Sequence, residues 1–220
     1  MHNTQTLRVS RTTILLFALF SSLFFKPTLS QALGNSETIP GFAEFSTAVQ
    51  NGEAGVLRGV YVPDVLAFPV VQQPAGYAGY VSLTDGEITQ FGMASQFGTV
   101  GLLAHNNLSG RFFSQLAAGQ EVRLVYGDGK VEYFVITSIS KFQALQPTSP
   151  YSSFRDLSNN EMLTTEQMFN KMYRGDHHVV FQTCIEGPGS SSWGRLFVIA
   201  TPKSQSRHPE AERFGWRLPW

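Results

Sequence analysis

Among 220 residues the chain carries one cysteine, Cys184. It closes the run HHVVFQTC (177–184). After the loop IEGPGSSSW, a second apolar run, GRLFVIAT (194–201), opens with Arg195 behind a glycine. Taken as antiparallel strands with Cys184 opposite Arg195, alternation places Val180, Gln182 and Cys184 on one face with Ile199, Phe197 and Arg195. Val179, Phe181 and Thr183 then share the other face with Ala200, Val198 and Leu196. A guanidinium is a permanent cation, so beside a thiol it favours thiolate and can donate to a developing oxyanion. His105 ends a third run, GTVGLLAH (98–105). An imidazole within reach of a thiol can hold the proton that nucleophilic cysteine chemistry moves. Nucleophile, proton shuttle and fixed donor are what acyl transfer through sulfur needs, with no metal or cofactor. Each residue also has a quieter reading: Cys184 as a buried inert thiol, Arg195 as a strand opener on a backbone carbonyl, His105 as a structural hydrogen-bonder.

Composition narrows the other chemistries. A single cysteine excludes an intrachain disulfide, a Cys-rich zinc site and an iron–sulfur cluster. The adjacent His177-His178 pair would point to opposite faces of a strand, so it is expected at the surface and edge and not as a chelate. Lys+Arg and Asp+Glu balance at 16 each, which argues against nucleic acid as a partner. The Ser190-Ser191-Ser192 run lacks the Gly-x-Ser-x-Gly context of a serine hydrolase.

The elements that must position these residues read as mostly β. Candidate strands are Val56–Val62, Val65–Val71, Tyr77–Leu83, Glu87–Phe91, Thr99–Ala104, Glu121–Tyr126, Val131–Ser138, Val179–Cys184 and Arg195–Thr201. Asp85-Gly86 and Asp128-Gly129 are hairpin dipeptides, the second joining EVRLVY to VEYFVITS. Two short helices are expected. Ser109–Leu116 carries Phe112, Phe113 and Leu116 on one side. The other begins at Thr164/Thr165, a capping-type start, and runs to Tyr173. Many strands at short spacing suggest a closed barrel or a sandwich. The stretch 141–163 is polar and turn-rich, and long connections of this kind are often functional.

Residues 1–32 read as a secretory signal or an N-terminal membrane anchor. Arg8 and Arg11 precede an uncharged run up to Lys26, densest as ILLFALFSSLFF, followed by Thr28, Ser30 and Ala32. As a helix the 14 residues between Arg11 and Lys26 rise about 21 Å, short of the ~30 Å hydrocarbon core. Both readings put the body outside the cytoplasm, secreted or held at the outer side of the membrane. The expected organisation is a lead-in at 33–49, the β domain at 50–202 and a polar tail at 203–220.

The ordered set of motifs resembles the sortases. A histidine follows a strand in AHNN (104–107), Thr-Cys ends a strand in FQTC (181–184), and an arginine opens the next strand in GRLFVIAT. The resemblance spans about residues 50–202. It departs from the family's Thr-Leu-x-Thr-Cys stretch, since Val180 stands where the first threonine would. The resemblance implies an eight-stranded β-barrel with one or two short helices and a cysteine transpeptidase site. Cys184 would attack a peptide bond in a sorting signal of another exported protein, forming a thioester. His105 would protonate the leaving amine and deprotonate an incoming amine acceptor, Arg195 would hold substrate and oxyanion, and Thr183 would help bind substrate. The 141–177 connection would wall the peptide site. A papain-like enzyme places its cysteine before its histidine, and an L,D-transpeptidase carries a Ser-His-Gly-Cys cluster; neither pattern is present. The alternatives are a non-catalytic envelope binding protein on the same barrel and a hydrolase that releases the acyl group to water.

Overall fold

The computed structural model describes residues 39–203. The expected leader at 1–32 and all but the first residue of the tail lie outside the described residues. Among the described residues, no helix is long and apolar enough to cross a membrane.

Among the described residues, ten strands and three α-helices follow in the order α1 (Phe42–Val49), β1 (Leu57–Val62), β2 (Leu66–Gln72), β3 (Ile88–Phe91), α2 (Gly92–Ser95) and β4 (Val100–Leu103). A 3₁₀ helix at Ser109–Gln115 leads to β5 (Glu121–Tyr126), β6 (Val131–Ala144), β7 (Phe154–Asp156), β8 (Met162–Leu163), α3 (Thr165–Tyr173), β9 (Val179–Gly187) and β10 (Ser190–Pro202). The strands pair in the order β10-β9-β4-β3-β2-β1-β5-β6, and β6 pairs back onto β10. Eight strands therefore close into a barrel, and β7 and β8 extend the sheet beyond β6. Closure removes the sheet edges that would otherwise invite pairing with another chain.

Alternation along each strand fills the barrel. Val60, Val62, Leu66, Val70, Leu102, Leu124, Phe134, Phe181, Leu196 and Val198 meet inside, with Phe113 and Leu116 added from the 3₁₀ segment. The outer wall carries two further apolar clusters. One lies under α1, where Phe45 and Val49 meet Tyr61, Ala67 and Val125. The other joins α2, α3, β7 and β8 to the outer faces of β6, β9 and β10, through Ala94, Phe142, Phe154, Met168, Met172, Tyr173, Val180 and Phe197. With its interior packed by side chains, the barrel is a scaffold and leaves chemistry to its rim and outer face.

Most expected strands form, several of them longer than read, while three elements differ in kind. Tyr77–Leu83 is not a strand: Tyr77, Gly79 and Tyr80 lie in turns, with Tyr80 N bonded to the carbonyl of Tyr77 at 3.1 Å. The Asp85-Gly86 dipeptide makes a turn, with Gly86 at φ 85°, yet it closes no hairpin. Instead the chain crosses over and β3 runs parallel to β2, Val70 beside Ile88. Ser109–Gln115 is helical in the tighter 3₁₀ form. The Asp128-Gly129 turn does join β5 to β6. Gly129 sits at φ 87°, and Lys130 N donates to Asp128 Oδ1 at 3.0 Å. Helix α3 starts at Thr164 with a reciprocal cap, Gln167 N to Thr164 Oγ1 at 3.2 Å and Thr164 N to Gln167 Oε1 at 2.8 Å. The 33–49 lead-in contributes α1, which seals the wall outside β1, β2 and β5.

Candidate active site

The register of β9 and β10 is the one alternation required. Cys184 pairs with Arg195, Thr183 with Leu196, Gln182 with Phe197, and so on to Val179 with Ala200. Directly paired antiparallel residues have Cα atoms about 4.5–5.5 Å apart and share a face. Cys184 and Arg195 therefore stand side by side on the outer face. Phe181, Thr183 and Leu196 turn to the other side, toward the barrel interior.

The third residue arrives on the other flank of β9. Strand β4 runs parallel to it, Leu102 beside Phe181 and Leu103 beside Gln182, and Ala104 N continues the ladder to Gln182 O at 3.3 Å. Two residues beyond Leu103, the same register brings His105 level with Cys184. Ala104 belongs to the interior cluster, so alternation gives His105 the outer face. In the strand order β4-β9-β10 the cysteine thus occupies the middle, with histidine on one side and arginine on the other. Strands lie about 4.8 Å apart, so each flanking backbone is within one side-chain length of the sulfur. All three side chains are half-buried. Among the described residues, neither the thiol nor the imidazole has a hydrogen-bond partner, and the three are not bonded to one another. A resting catalytic site commonly has loose geometry that tightens on its substrate.

Local structure explains why the histidine segment turns where it does. Thr183 is buried, and its Oγ1 donates to Ala104 O at 2.8 Å, pinning the end of β4 to β9. His105 O then accepts from Leu108 N at 3.0 Å and Gly110 N at 2.9 Å, closing the turn into the 3₁₀ helix. Gly110 lies against Thr183 Oγ1 and the carbonyls of Ala104 and His105, where a side chain would collide. The 3₁₀ segment is held in turn by Ser109 Oγ, which accepts from Gly86 N at 2.9 Å, and by Arg111, which bonds Asp85 at 2.7 Å. That ion pair holds the Asp85 carboxyl below the ordinary aspartate range, chiefly through the Arg111 hydrogen bond. Thr183 thus has its hydroxyl committed inward, to the strand end that bears the histidine.

Two loops complete the rim. Pro188-Gly189, with Gly189 at φ 75°, turns β9 into β10, and the register then slips between Ser190 and Gly194. Asn106 Nδ2 donates to Ser191 O at 3.0 Å, fastening the histidine turn to this hairpin. The Arg195 guanidinium donates to Ser192 O at 3.0 Å, Gly194 O at 2.8 Å and Pro147 O at 3.3 Å. It therefore clamps the hairpin to the β6–β7 connection while flanking the thiol. Three of its five N–H groups are used in this way.

Sequence reasoning missed Asn106 and Pro147. Asn106 is adjacent to the histidine, so the AHNN stretch held a signal, whereas Pro147 acts only through its backbone carbonyl. The histidine pair departs from expectation. His177 is half-exposed, with Nδ1 2.6 Å from Gly98 O and Nε2 3.5 Å from Glu132. His178 is buried and not at the surface, with Nε2 2.8 Å from Met172 O and Nδ1 2.6 Å from Asp176 O. It fastens the end of α3 to the start of β9. An open cavity of about 340 Å³ beside it, lined by Asp176, His177, His178, Ile199, Thr201 and Pro202, lies at the opposite ends of β9 and β10 from Cys184.

No protein-family model matches the chain, and no curated protein matches it. Solved structures do. They are sortases. Listeria monocytogenes sortase A has 12% identity and a TM-score of 0.43, with 67% of this chain and 87% of that chain covered. Sortase C-1 from Actinomyces oris has 10% identity and a TM-score of 0.45, covering 77% and 84%. Clostridium perfringens sortase C, solved with the C-terminal cell wall sorting motif, has 14% identity and a TM-score of 0.45, covering 76% and 78%. What brings His105, Cys184 and Arg195 together is the pairing of β4, β9 and β10 in this chain.

Proposed function

We propose that this protein is a sortase-like cysteine transpeptidase of the cell envelope. It cleaves a peptide bond in the sorting signals of other exported proteins and hands the acyl group to an amine. The observation that supports it is the row of three strands with Cys184 in the middle, Arg195 paired with it and the β4 register leading to His105. The Cys184 thiolate attacks the peptide carbonyl carbon, and the carbonyl pair moves to oxygen as the tetrahedral intermediate forms. The C–N bond then breaks, His105 gives the leaving amine its proton, and a thioester remains on sulfur. An amine acceptor attacks that thioester, His105 takes its proton, and the thiolate departs. Arg195 donates one of its remaining N–H groups to the oxyanion, a contribution of several kcal/mol in a water-poor site, about 2.7–4 where one such donor has been removed elsewhere. Thr183 serves substrate binding indirectly, by holding the strand end beside the histidine. The N-terminal leader delivers or tethers the domain on the outer side of the membrane.

One observation favours a second reading, a non-catalytic envelope binding protein on the same barrel. Arg195 already spends three N–H groups on backbone carbonyls, which is the work of a structural arginine. The readings separate by covalent trapping. A peptide-like electrophile labels Cys184 in the transpeptidase, and His105→Ala and Arg195→Ala each slow the labelling at least tenfold. Equal labelling in all three proteins supports the binding module. Trapping the acyl-enzyme with a candidate sorting peptide, with and without an added amine, tells transfer from hydrolysis.

A further inference from the structure

Gln182 shares the outer face with Cys184, two residues before it on β9, with Phe197 opposite on β10 and Leu103 alongside on β4. Its half-buried amide lies over apolar ground, beside Val180, Phe197 and Tyr173 of the outer cluster. Its oxygen is satisfied from within: the Tyr173 hydroxyl at the end of α3 donates to Gln182 Oε1. Its nitrogen is not buried and stays open to solvent, and hence to a bound peptide. Tyr173 is buried, and burial pushes its phenol pKa up, so it remains a donor. A side-chain amide has one acceptor oxygen and one nitrogen with two N–H donors. With the oxygen held on Tyr173, the nitrogen points away from it. Among the described residues, nothing accepts from that nitrogen.

We propose that Gln182 is a specificity-determining residue whose Nε2 donates to a side-chain oxygen of the bound peptide, selecting substrates with Gln, Asn, Glu or Asp near the cleaved bond. The inference rests on the acyl-transfer reading of Cys184. Two residues along a strand span about 6.6 Å, and an extended peptide advances at the same rate. The oxygen-bearing residue therefore lies about two positions to one side of the carbonyl that Cys184 attacks. Tyr173 is a positioning residue that decides which end of the amide meets substrate.

Peptide pools identical except for Gln or Met two positions before or two positions after the attacked carbonyl, incubated with the purified full chain, test this through the intact mass of the Cys184 thioester. The wild type is expected to take the Gln pool five- to tenfold faster, the discrimination one net hydrogen bond supports. Gln182→Met reverses the preference. Tyr173→Phe, which keeps the ring and frees the amide, reduces it to about twofold. Circular dichroism and iodoacetamide uptake at Cys184 check that each variant is folded. Thioesters formed from both pools at equal rates in the wild type, or a preference untouched in both variants, overturn the assignment of Gln182 alone. No thioester from any peptide overturns the acyl-transfer reading, and this inference with it.

Discussion

Gly110→Ala is the sharpest probe of how the histidine is held. An ideal Cβ at this position would press on Thr183 Oγ1 and come within 2.7 Å of the carbonyl oxygens of both Ala104 and His105. Two of the three obstacles are backbone: the Ala104 carbonyl is bonded at 2.8 Å to the third, the Thr183 hydroxyl, and the His105 carbonyl accepts from Leu108 N and Gly110 N, so none can swing away without breaking a bond. Overpacking of this kind costs about 1–3 kcal/mol. For a domain of this size the melting temperature falls about 2–4 °C per kcal/mol, so a loss of roughly 4–8 °C is expected for 2 kcal/mol. The relief is local, because the turn carrying His105 has to move away from Thr183. Labelling of Cys184 by a peptide electrophile therefore slows by more than the stability loss accounts for. Gly92→Ala is the control, since its Cβ would meet only Gln73 Oε1 at 3.6 Å, an ordinary contact. Thermal melting and labelling kinetics on both variants provide the readout. If Gly110→Ala melts within 1 °C of the wild type and labels at its rate, the close approach of the 3₁₀ turn to β9 does not set the histidine.

Other contacts give further expected outcomes. Thr164→Ala removes the cap of α3 and costs about 1 kcal/mol in urea unfolding, while Thr164→Ser retains most of it. Gly129→Ala places a side chain at φ 87° beside Gln50 Oε1 at 3.0 Å, and is expected to cost at least about 1 kcal/mol by the same measurement. Asp85→Asn tests the pair with Arg111. The folded carboxyl pKa is depressed, so its contribution is present above the unfolded value of about 3.9 and is lost as pH falls through the folded value. Both groups are nearly half-exposed, so the variant is expected to be less stable than wild type by under ~1 kcal/mol at pH 7 and equal to it near pH 2.

The site was more legible in the sequence than the barrel around it. Cys184 and Arg195 lie in adjacent apolar runs joined by one Gly/Ser loop, so period-two alternation sufficed to set them opposite each other. His105 is a different case. Its neighbour in the sheet is 79 positions away, across a parallel pairing that no turn chemistry announces, and only the order of motifs pointed to it. The Asp85-Gly86 dipeptide misled because a positive φ reports a turn and says nothing of which strand the chain pairs with next. There the chain crosses over instead of doubling back. Strands β7 and β8, of three and two residues, are too short to carry a period, and they form because β6 overruns the barrel and offers an edge. Tyr77–Leu83 had the composition of a strand, yet its aromatics lie against each other at a tilt, Tyr77 and Tyr80 with ring centroids 6.0 Å apart.

The seam of the barrel has a bearing on how the site is completed. Strand β10 both zips β6 to β9 and delivers the arginine, and among the described residues it is the last strand in chain order. A chain lacking it would have two free margins, on β9 and β6, with Cys184 on one of them and Arg195 missing. The strand that finishes the barrel is thus also the one that finishes the candidate site, and an incomplete barrel would expose open sheet edges.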